Sequence, residues 1–272
     1  MWRLYTTLPA LLASNPLSLI SLLIMGCGIF VVVLVMRWCL EDVESAICRA
    51  RKKIAPLVDG VVNDLNLPKS TECFAVGGFV RDAVLCELTN TRFEPKDIDL
   101  ILSKKPDLSK NQNILWKQEN SFGGIKLGLK NFPEVDIFNK EFDWPDIVVG
   151  WYFDFNVNSL FYHNKSQQIF AAAPFYAFTS NKTIELENYR TANNKFETLY
   201  KDSALVSRAL KFQVLFREKY GIDARLSWTI LHLLYDMDKQ TEQEMFKYTQ
   251  QKVKDENLRN KIIENYYSIK SH

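Results

Sequence analysis

Two adjacent glycines, Gly77 and Gly78, follow the apolar residues 73–76 and are themselves followed by Arg81 and Asp82. A glycine pair at the end of a strand is typical of a place where the backbone approaches another group closely. The arginine indicates that this group is anionic, because a guanidinium binds carboxylate and phosphate oxygens through several N–H donors. The stretch therefore predicts a strand, a tight turn and a helix beside an anion-binding site.

Two aspartates, Asp97 and Asp99, flank a single apolar residue on the next predicted strand. Side chains two positions apart on a strand emerge on the same face, so the two carboxylates lie close together and repel each other. A cation between them removes this repulsion, and Mg²⁺ prefers oxygen ligands of this kind. The pair thus predicts a magnesium site, whereas a solvated strand edge is the alternative for an isolated Asp-x-Asp.

The remaining pattern indicates a mixed α/β unit followed by helices. Residues 122–130 and 134–138 predict two further strands, separated by a turn signal at residues 131–133. Residues 41–66 have helical spacing that Pro56 interrupts, which predicts two helical pieces. From about residue 196 onward, long helical patterns predict three helices, the first of which ends at Gly221.

The first 40 residues differ from the rest, because residues 17–36 are apolar and carry no charge. A run of about 20 such residues is what a helix needs to cross the hydrocarbon core of a bilayer. A cleaved signal peptide and a buried core helix are the alternatives. Arg3 alone precedes the run, whereas basic residues are frequent between Arg37 and Lys53. This asymmetry predicts a single-pass membrane anchor with the bulk of the protein in the cytoplasm.

Composition limits the possible partners only weakly. The formal net charge of +2 neither demands nor excludes a nucleic-acid partner, because a local basic patch can exist within a balanced total. The 5 cysteines form no Cys-x-x-Cys pair and the 3 histidines lie far apart in the sequence, so we expect reduced thiols and no structural zinc.

The order of strand, Gly-Gly, Arg-Asp on a helix and Asp-x-Asp on the next strand resembles the nucleotidyltransferase fold. More narrowly, residues 77–102 resemble the head of the bacterial-type (class II) tRNA nucleotidyltransferase (CCA-adding) and poly(A) polymerase family. Residues 123–138 resemble the family's next hairpin, residues 154–162 its ribose-contacting segment, and residues 201–216 the start of its helical neck. The resemblance implies an α/β (α+β) head with a mixed sheet, followed by a helical neck.

Four regions follow from the resemblance and from the predicted anchor. They are a membrane anchor at residues 1–40, a helical connector at 41–70, a nucleotidyltransferase head at 71–195, and neck and C-terminal helices at 196–272. The family's chemistry implies that a hydroxyl attacks the α-phosphate of an NTP and that pyrophosphate leaves. We expect ATP or CTP as the nucleotide and an RNA 3′ end as the acceptor.

The resemblance also implies roles for individual residues. Asp97, Asp99 and Asp136 would be the catalytic carboxylates that hold Mg²⁺. The implied nucleotide-binding residues are Gly77, Gly78, Arg81, Asp82, Asp154, Asn158, Asp202 and Arg208. Among them, Asp82 is expected to orient Arg81 rather than to touch the substrate. For Asn158, a buried asparagine that satisfies the backbone is an equal alternative.

Two departures from the family pattern leave other functions open. Tyr152 and Phe153 stand where the family usually has an Arg-Arg pair, and Leu205 replaces an arginine that pairs with the incoming base. Only about fifty residues follow Gly221, whereas CCA-adding relatives have long helical regions there. The alternatives are the same chemistry on a protein or small-molecule acceptor, and an inactive membrane-tethered module that binds nucleotide or RNA.

Overall fold

The computed structural model describes residues 42–109, 111–120, 124–139, 154–187 and 201–271. The chain falls into two units, residues 1–44 and 45–272. In the first unit only residues 42–44 are described, and they are helical. The anchor predicted at residues 17–36 lies outside the described residues. Within the described ranges, none of the helices combines the length and the apolar character needed to cross a membrane.

A seven-stranded mixed sheet forms the centre of the second unit. Its strands are β1 (Cys73–Val76), β2 (Asp97–Leu102), β3 (Ile114–Glu119), β4 (Ile125–Leu129), β5 (Glu134–Asn139), β6 (Leu160–His163) and β7 (Gln168–Ala171). Their order across the sheet is β3-β4-β5-β2-β1-β6-β7. Strands β2 and β5 are parallel, and the other neighbouring pairs are antiparallel. The mixed sheet expected from the resemblance is confirmed.

The described residues also form seven α-helices, some of which pack on this sheet. They are α1 (residues 45–64), α2 (Gly77–Thr89), α3 (Ala173–Asn181), α4 (Asp202–Tyr220), α5 (Trp228–Asp236), α6 (Lys239–Lys252) and α7 (Glu256–Lys270). A short 3₁₀ helix covers Asn156–Asn158, and strands β8 (Thr183–Ile184) and β9 (Arg225–Leu226) form a separate small sheet. Helix α4, which we call the neck helix, ends at Gly221 with φ of 64°, as predicted.

Strand β1 turns directly into helix α2 at the centre of the sheet. All four residues of β1 are buried, which suits a strand with neighbours on both sides and cover on both faces. Helix α2 buries Val80, Ala83 and Val84, whose helical spacing gives it one apolar side. The order β1–α2–β2 therefore places the first turn of α2 beside the start of β2.

The helix that precedes β1 passes through Pro56 without a break, so the predicted division into two pieces is wrong. Proline removes one backbone hydrogen bond within a helix. The packing of α1 opposes this loss, because Ile54, Val58 and Val61 are fully buried along one side.

The last predicted helix is in fact two helices, α6 and α7. Residues 253–255 separate them, and Val253 is buried between the two. The side chain of Asp255 accepts a hydrogen bond from the N–H of Leu258 at 3.0 Å, which caps the N-terminus of α7. A local cap therefore begins a new helix inside a stretch whose apolar spacing suggested a continuous one.

Candidate active site

Three carboxylates lie on neighbouring parallel strands near the centre of the sheet. Asp99 of β2 is in register with Asp136 of β5, and Asp97 lies two residues before Asp99. Side chains of residues in register, and of residues two apart on one strand, share a face of the sheet. Asp97 is exposed, Asp99 is half-buried and Asp136 is buried. The structure thus brings together the three carboxylates that the sequence predicted.

These carboxyl groups are close enough to perturb one another electrostatically. Burial, followed by the negative charges of Asp97 and Asp136, raises the pKa of Asp99 to about 7. Asp97 keeps exposed surface, but desolvation by the surrounding protein and the charge of Asp136 also raise its pKa, while the attraction of Lys126 opposes this rise. Nζ of Lys126 lies 3.3 Å from Oδ2 of Asp136 and offsets part of the repulsion. The repulsion that remains is of the kind that a bound cation relieves.

The chemistry of these side chains fits a hard divalent cation. Carboxylate oxygens are the ligands that Mg²⁺ prefers, and mutual repulsion among them favours binding of positive charge. Over the described part of the chain, however, no group of three or more His, Cys, Asp or Glu side chains is arranged to hold a metal ion. The donor set nevertheless fits Mg²⁺ in kind.

Gly77 brings the backbone directly against the carboxylates. Its φ is 69°, in the left-handed region, and a Cβ built on it would lie 2.7 Å from Oδ2 of Asp99. A Cβ on Gly78 would lie 3.3 Å from Nη2 of Arg81, which is a tighter contact than side chains usually make. Gly77 therefore satisfies two requirements that no other residue type meets, a positive φ and space for the Asp99 carboxylate.

Arg81 is buried, with 7% of its surface exposed, and its guanidinium is held from several sides. Nε donates to Oδ1 of Asp82 at 2.8 Å, and Nη2 lies 2.6 Å from the same oxygen. Nη1 donates to Oδ1 of Asn158 at 2.8 Å. The guanidinium carbon is 5.0 Å from the ring centroid of Phe212 on the neck helix. Asp82 and Asn158 thus position Arg81, and for Asp82 this is the role expected from the sequence.

Asp82 has a second cationic partner on the neck helix. Nζ of Lys219 donates to Oδ2 of Asp82 at 3.3 Å. Burial would raise the pKa of Asp82, but the attraction of Arg81 and Lys219 outweighs burial and holds this pKa below its ordinary value. The stabilisation from the ionised carboxylate is therefore present above the ordinary pKa of aspartate and is lost as pH falls through the lowered pKa.

Asp154 and Arg208, both predicted to bind nucleotide, form an ion pair between the segment before β6 and the neck helix. Burial raises the pKa of Asp154, against the attraction of Arg208. The guanidinium carbon of Arg208 also lies 5.6 Å from the ring centroid of Phe155. The pair connects the predicted ribose segment to the neck at one point.

The remaining positions that the sequence singled out are placed differently. Asp202 is exposed in the first turn of the neck helix. Leu205 is only 1% exposed, so its side chain belongs to the packing of the helices. Tyr152 and Phe153 lie outside the described residues.

Lys211 is a residue of the site that the motifs did not indicate. It lies half-buried on the neck helix, three residues after Arg208 and therefore on a similar side of the helix. Burial, followed by the positive charges of Arg81 and Arg208, lowers its pKa, and Asp97 acts in the opposite direction. Cations gathered beside carboxylates in this way suit a site for a polyanion. The spacing from Arg208 was the available sequence signal.

Comparison with solved structures relates this fold to CCA-adding enzymes. One, a CCA-adding enzyme in complex with ATP, is similar over 85% of this chain and 53% of its own, with 18% sequence identity and a TM-score of 0.50. The Thermotoga maritima CCA-adding enzyme complexed with tRNA is similar over 76% of this chain and 48% of its own, with 18% identity and a TM-score of 0.46. This chain spans about half the length of these structures.

The first of these similarities shows a shared fold, and it confirms at that level the family resemblance found in the sequence. The sequence itself matches no family model and no curated protein. The relationship is therefore visible in the arrangement of strands and helices, and in the few motifs that the fold requires, rather than in overall sequence similarity.

Replacing Gly77 by alanine tests the close approach to Asp99. Gly221→Ala is a matched control, because Gly221 also has a positive φ, of 64°. Apart from its chain neighbours, no described residue lies within 4 Å of a Cβ added at Gly221. We expect Gly221→Ala to lower the free energy of unfolding by about 1 kcal/mol, and Gly77→Ala to lower it by about 1–3 kcal/mol more. Denaturant unfolding of both variants measures the difference. Equal losses would contradict the contact.

Proposed function

We propose that this protein transfers a nucleoside monophosphate from an NTP to the 3′ end of an RNA and releases pyrophosphate. The observation that carries the proposal is the register of Asp99 with Asp136 on adjacent parallel strands, with Asp97 on the same face and Gly77 against Asp99. Carboxylates grouped beside a glycine turn suit a reaction at a metal-bound triphosphate. The fold shared with a CCA-adding enzyme that was solved with ATP supports the same conclusion.

Positive charge beside the carboxylates is proposed to bind the triphosphate. A guanidinium has five N–H donors. Among the described residues, Asp82 and Asn158 engage Nε, Nη1 and Nη2 of Arg81 once each, which leaves a further N–H on each terminal nitrogen for phosphate oxygens. Lys211 adds a second cation, and its unfavourable position among other cations becomes favourable when an anion binds.

The sugar is proposed to bind at Asp154, whose carboxylate accepts hydrogen bonds from ribose hydroxyls. In the structure the partner of this carboxylate is Arg208. Arg208 would orient Asp154 and oppose the effect of burial on its pKa, because an opposite charge favours the charged form of a carboxyl group. A ribose with two hydroxyls would use this acceptor better than a deoxyribose, so ribonucleotides are the proposed substrates.

Asp97, Asp99 and Asp136 are proposed to hold Mg²⁺, since their oxygens are the ligands this ion prefers. When bound, Mg²⁺ supplies activation of the attacking hydroxyl and neutralises the charge of the departing pyrophosphate. The contribution of the protein is to fix the carboxylates on two paired strands, which hold a ligand set more accurately than loops do.

ATP or CTP is the proposed nucleotide, with weak selection between bases. Leu205 is buried and offers no hydrogen-bond donor to a base edge. A site without such donors discriminates less strongly, because a wrong base leaves fewer polar groups unpaired. Leu205 also favours a second candidate function, a module that binds nucleotide or RNA without catalysis. A protein or small-molecule acceptor is the remaining alternative for the same chemistry.

The double variant Asp97→Asn/Asp99→Asn tests the catalytic proposal. Full-length protein incubated with Mg²⁺, total RNA and each α-labelled NTP in turn is expected to label RNA. The double variant should reduce the rate by at least about 100- to 1,000-fold, as expected when groups that stabilise transition-state charge are removed. Asp107→Asn is the matched control, because Asp107 is exposed and bonds locally to Ser109.

The outcomes of this assay separate the candidates. Label on protein or on a small molecule would change the acceptor and keep the chemistry. An undiminished rate in the double variant would contradict the catalytic role of the carboxylates. NTP binding by the wild-type protein without transfer to any acceptor would favour the binding module.

We further propose that residues 17–36 anchor the protein in a membrane, which rests on the sequence alone. The full-length chain is then expected to stay in the membrane pellet after an alkaline carbonate wash, and a chain without residues 1–40 is expected to leave it. Release of the full-length chain by carbonate would contradict the anchor. Immunoblotting of pellet and supernatant measures the partition.

A further inference from the structure

We infer that Lys219 is a positioning residue of the proposed nucleotide site, which acts through Asp82 on Arg81. The inference rests on the proposed function and extends it to a residue that lies outside the sequence motifs described above. Its consequence is that the neck helix, which carries Lys219 near its C-terminal end, sets the orientation of the guanidinium that is proposed to meet the triphosphate.

Two cations share the carboxylate of Asp82. Oδ1 accepts from Nε of Arg81 at 2.8 Å, while Oδ2 accepts from Nζ of Lys219 at 3.3 Å. A carboxylate is planar, so a partner that fixes one oxygen also fixes the direction of the other. Both side chains of the Asp82–Lys219 pair are about one-third exposed or less, which screens their attraction less than on an open surface. Lys219 therefore restrains the acceptor that aligns Arg81.

One face of the neck helix lies against Arg81. Phe212, Phe216 and Lys219 lie at positions i, i+4 and i+7, which places them on one side of the helix. The guanidinium carbon of Arg81 lies 5.0 Å from the ring centroid of Phe212 and 5.7 Å from that of Phe216. The same helix face thus supplies both the aromatic surface under the guanidinium and the cation that holds its carboxylate partner.

The orientation of Asp82 affects the N–H groups of Arg81 that have no partner among the described residues. Its guanidinium is planar, and Asp82, Asn158 and the two rings fix this plane. The direction of the remaining N–H groups follows from the plane. Loss of Lys219 leaves Arg81 buried and paired with Asp82, but it lets that carboxylate turn. Misorientation of a binding group by a fraction of an ångström weakens its contact with a bound ligand.

The test uses the full-length protein with three single substitutions. Lys219→Met removes the charge, Lys219→Arg keeps it, and Lys261→Met is the matched control. Lys261 of α7 forms an exposed ion pair with Glu218 of the neck helix, which also carries Lys219. Its replacement therefore removes an equal charge and an ion pair of the neck helix. We expect Lys219→Met to raise the KM for NTP about tenfold, with Lys219→Arg within about threefold of wild type and Lys261→Met unchanged. The KM for RNA should be unchanged in all three.

A double-mutant cycle with Asp82→Asn tests the route of action. If Lys219 acts through Asp82, then Lys219→Met changes the KM for NTP little in the Asp82→Asn background. Additive effects of the two substitutions would overturn the inference. Thermal unfolding of each variant serves as the stability readout, and a Lys219→Met protein with a lowered Tm but an unchanged KM for NTP would also overturn it.

The proposed function and this inference fail in different ways. A wild-type protein that neither binds NTP nor transfers label would overturn the proposed function, and the inference with it. If the wild-type protein transfers label and Lys219→Met has the same KM for NTP, the inference alone is overturned. A selective rise in this KM, reversed by Lys219→Arg, would support both.

Discussion

The contact between Gly77 and the Asp99 carboxylate is the constraint on which the arrangement of the site depends. A Cβ at position 77 would lie 2.7 Å from Oδ2 of Asp99, which is too close for a normal contact, and the φ of 69° would strain the side chain as well. Only glycine therefore lets β1 turn into α2 without a loop while β2 runs alongside. Because α2 begins there, its N-terminal part carries Arg81 close to the carboxylates. Without this contact, the strand, the helix and the acidic pair would not meet at one place.

The burial of Arg81 is a second constraint, because a buried guanidinium is costly unless it is paired with other groups. The pairing groups come from three elements: Asp82 from α2 itself, Asn158 from the 3₁₀ helix, and the aromatic rings from the neck helix. The position of each element is consequently tied to the same cation. The pairing of Arg81 therefore also fixes the position of the neck helix beside the site.

The sequence predicted those parts of the fold that are buried on both sides or marked by glycine and aspartate. Strands β1, β2 and β5 and helix α2 belong to this group. Strand β3 escaped prediction because most of its side chains are exposed, so that no apolar alternation marks it. Pro56 was misjudged because local backbone chemistry does not reveal the packing that holds α1 together. The site shows the same division, since Lys126, Lys211 and Lys219 become site residues only through strand pairing and helix packing. Apart from the spacing of Lys211 from Arg208, these lysines have no local sequence signal that tells whether they face solvent or a carboxylate.

The neck helix therefore contributes charge where a base-reading site needs directional hydrogen bonds. Arg208 and Lys219 meet carboxylates, and Lys211 lies among other cations, whereas Leu205 is part of the packing. Charge attracts the triphosphate, which all NTPs share, and it carries little information about the base. On the proposed function, such a neck would bind nucleotides firmly but select among them weakly. The acceptor, or the order in which substrates bind, would then have to supply the specificity that the neck does not.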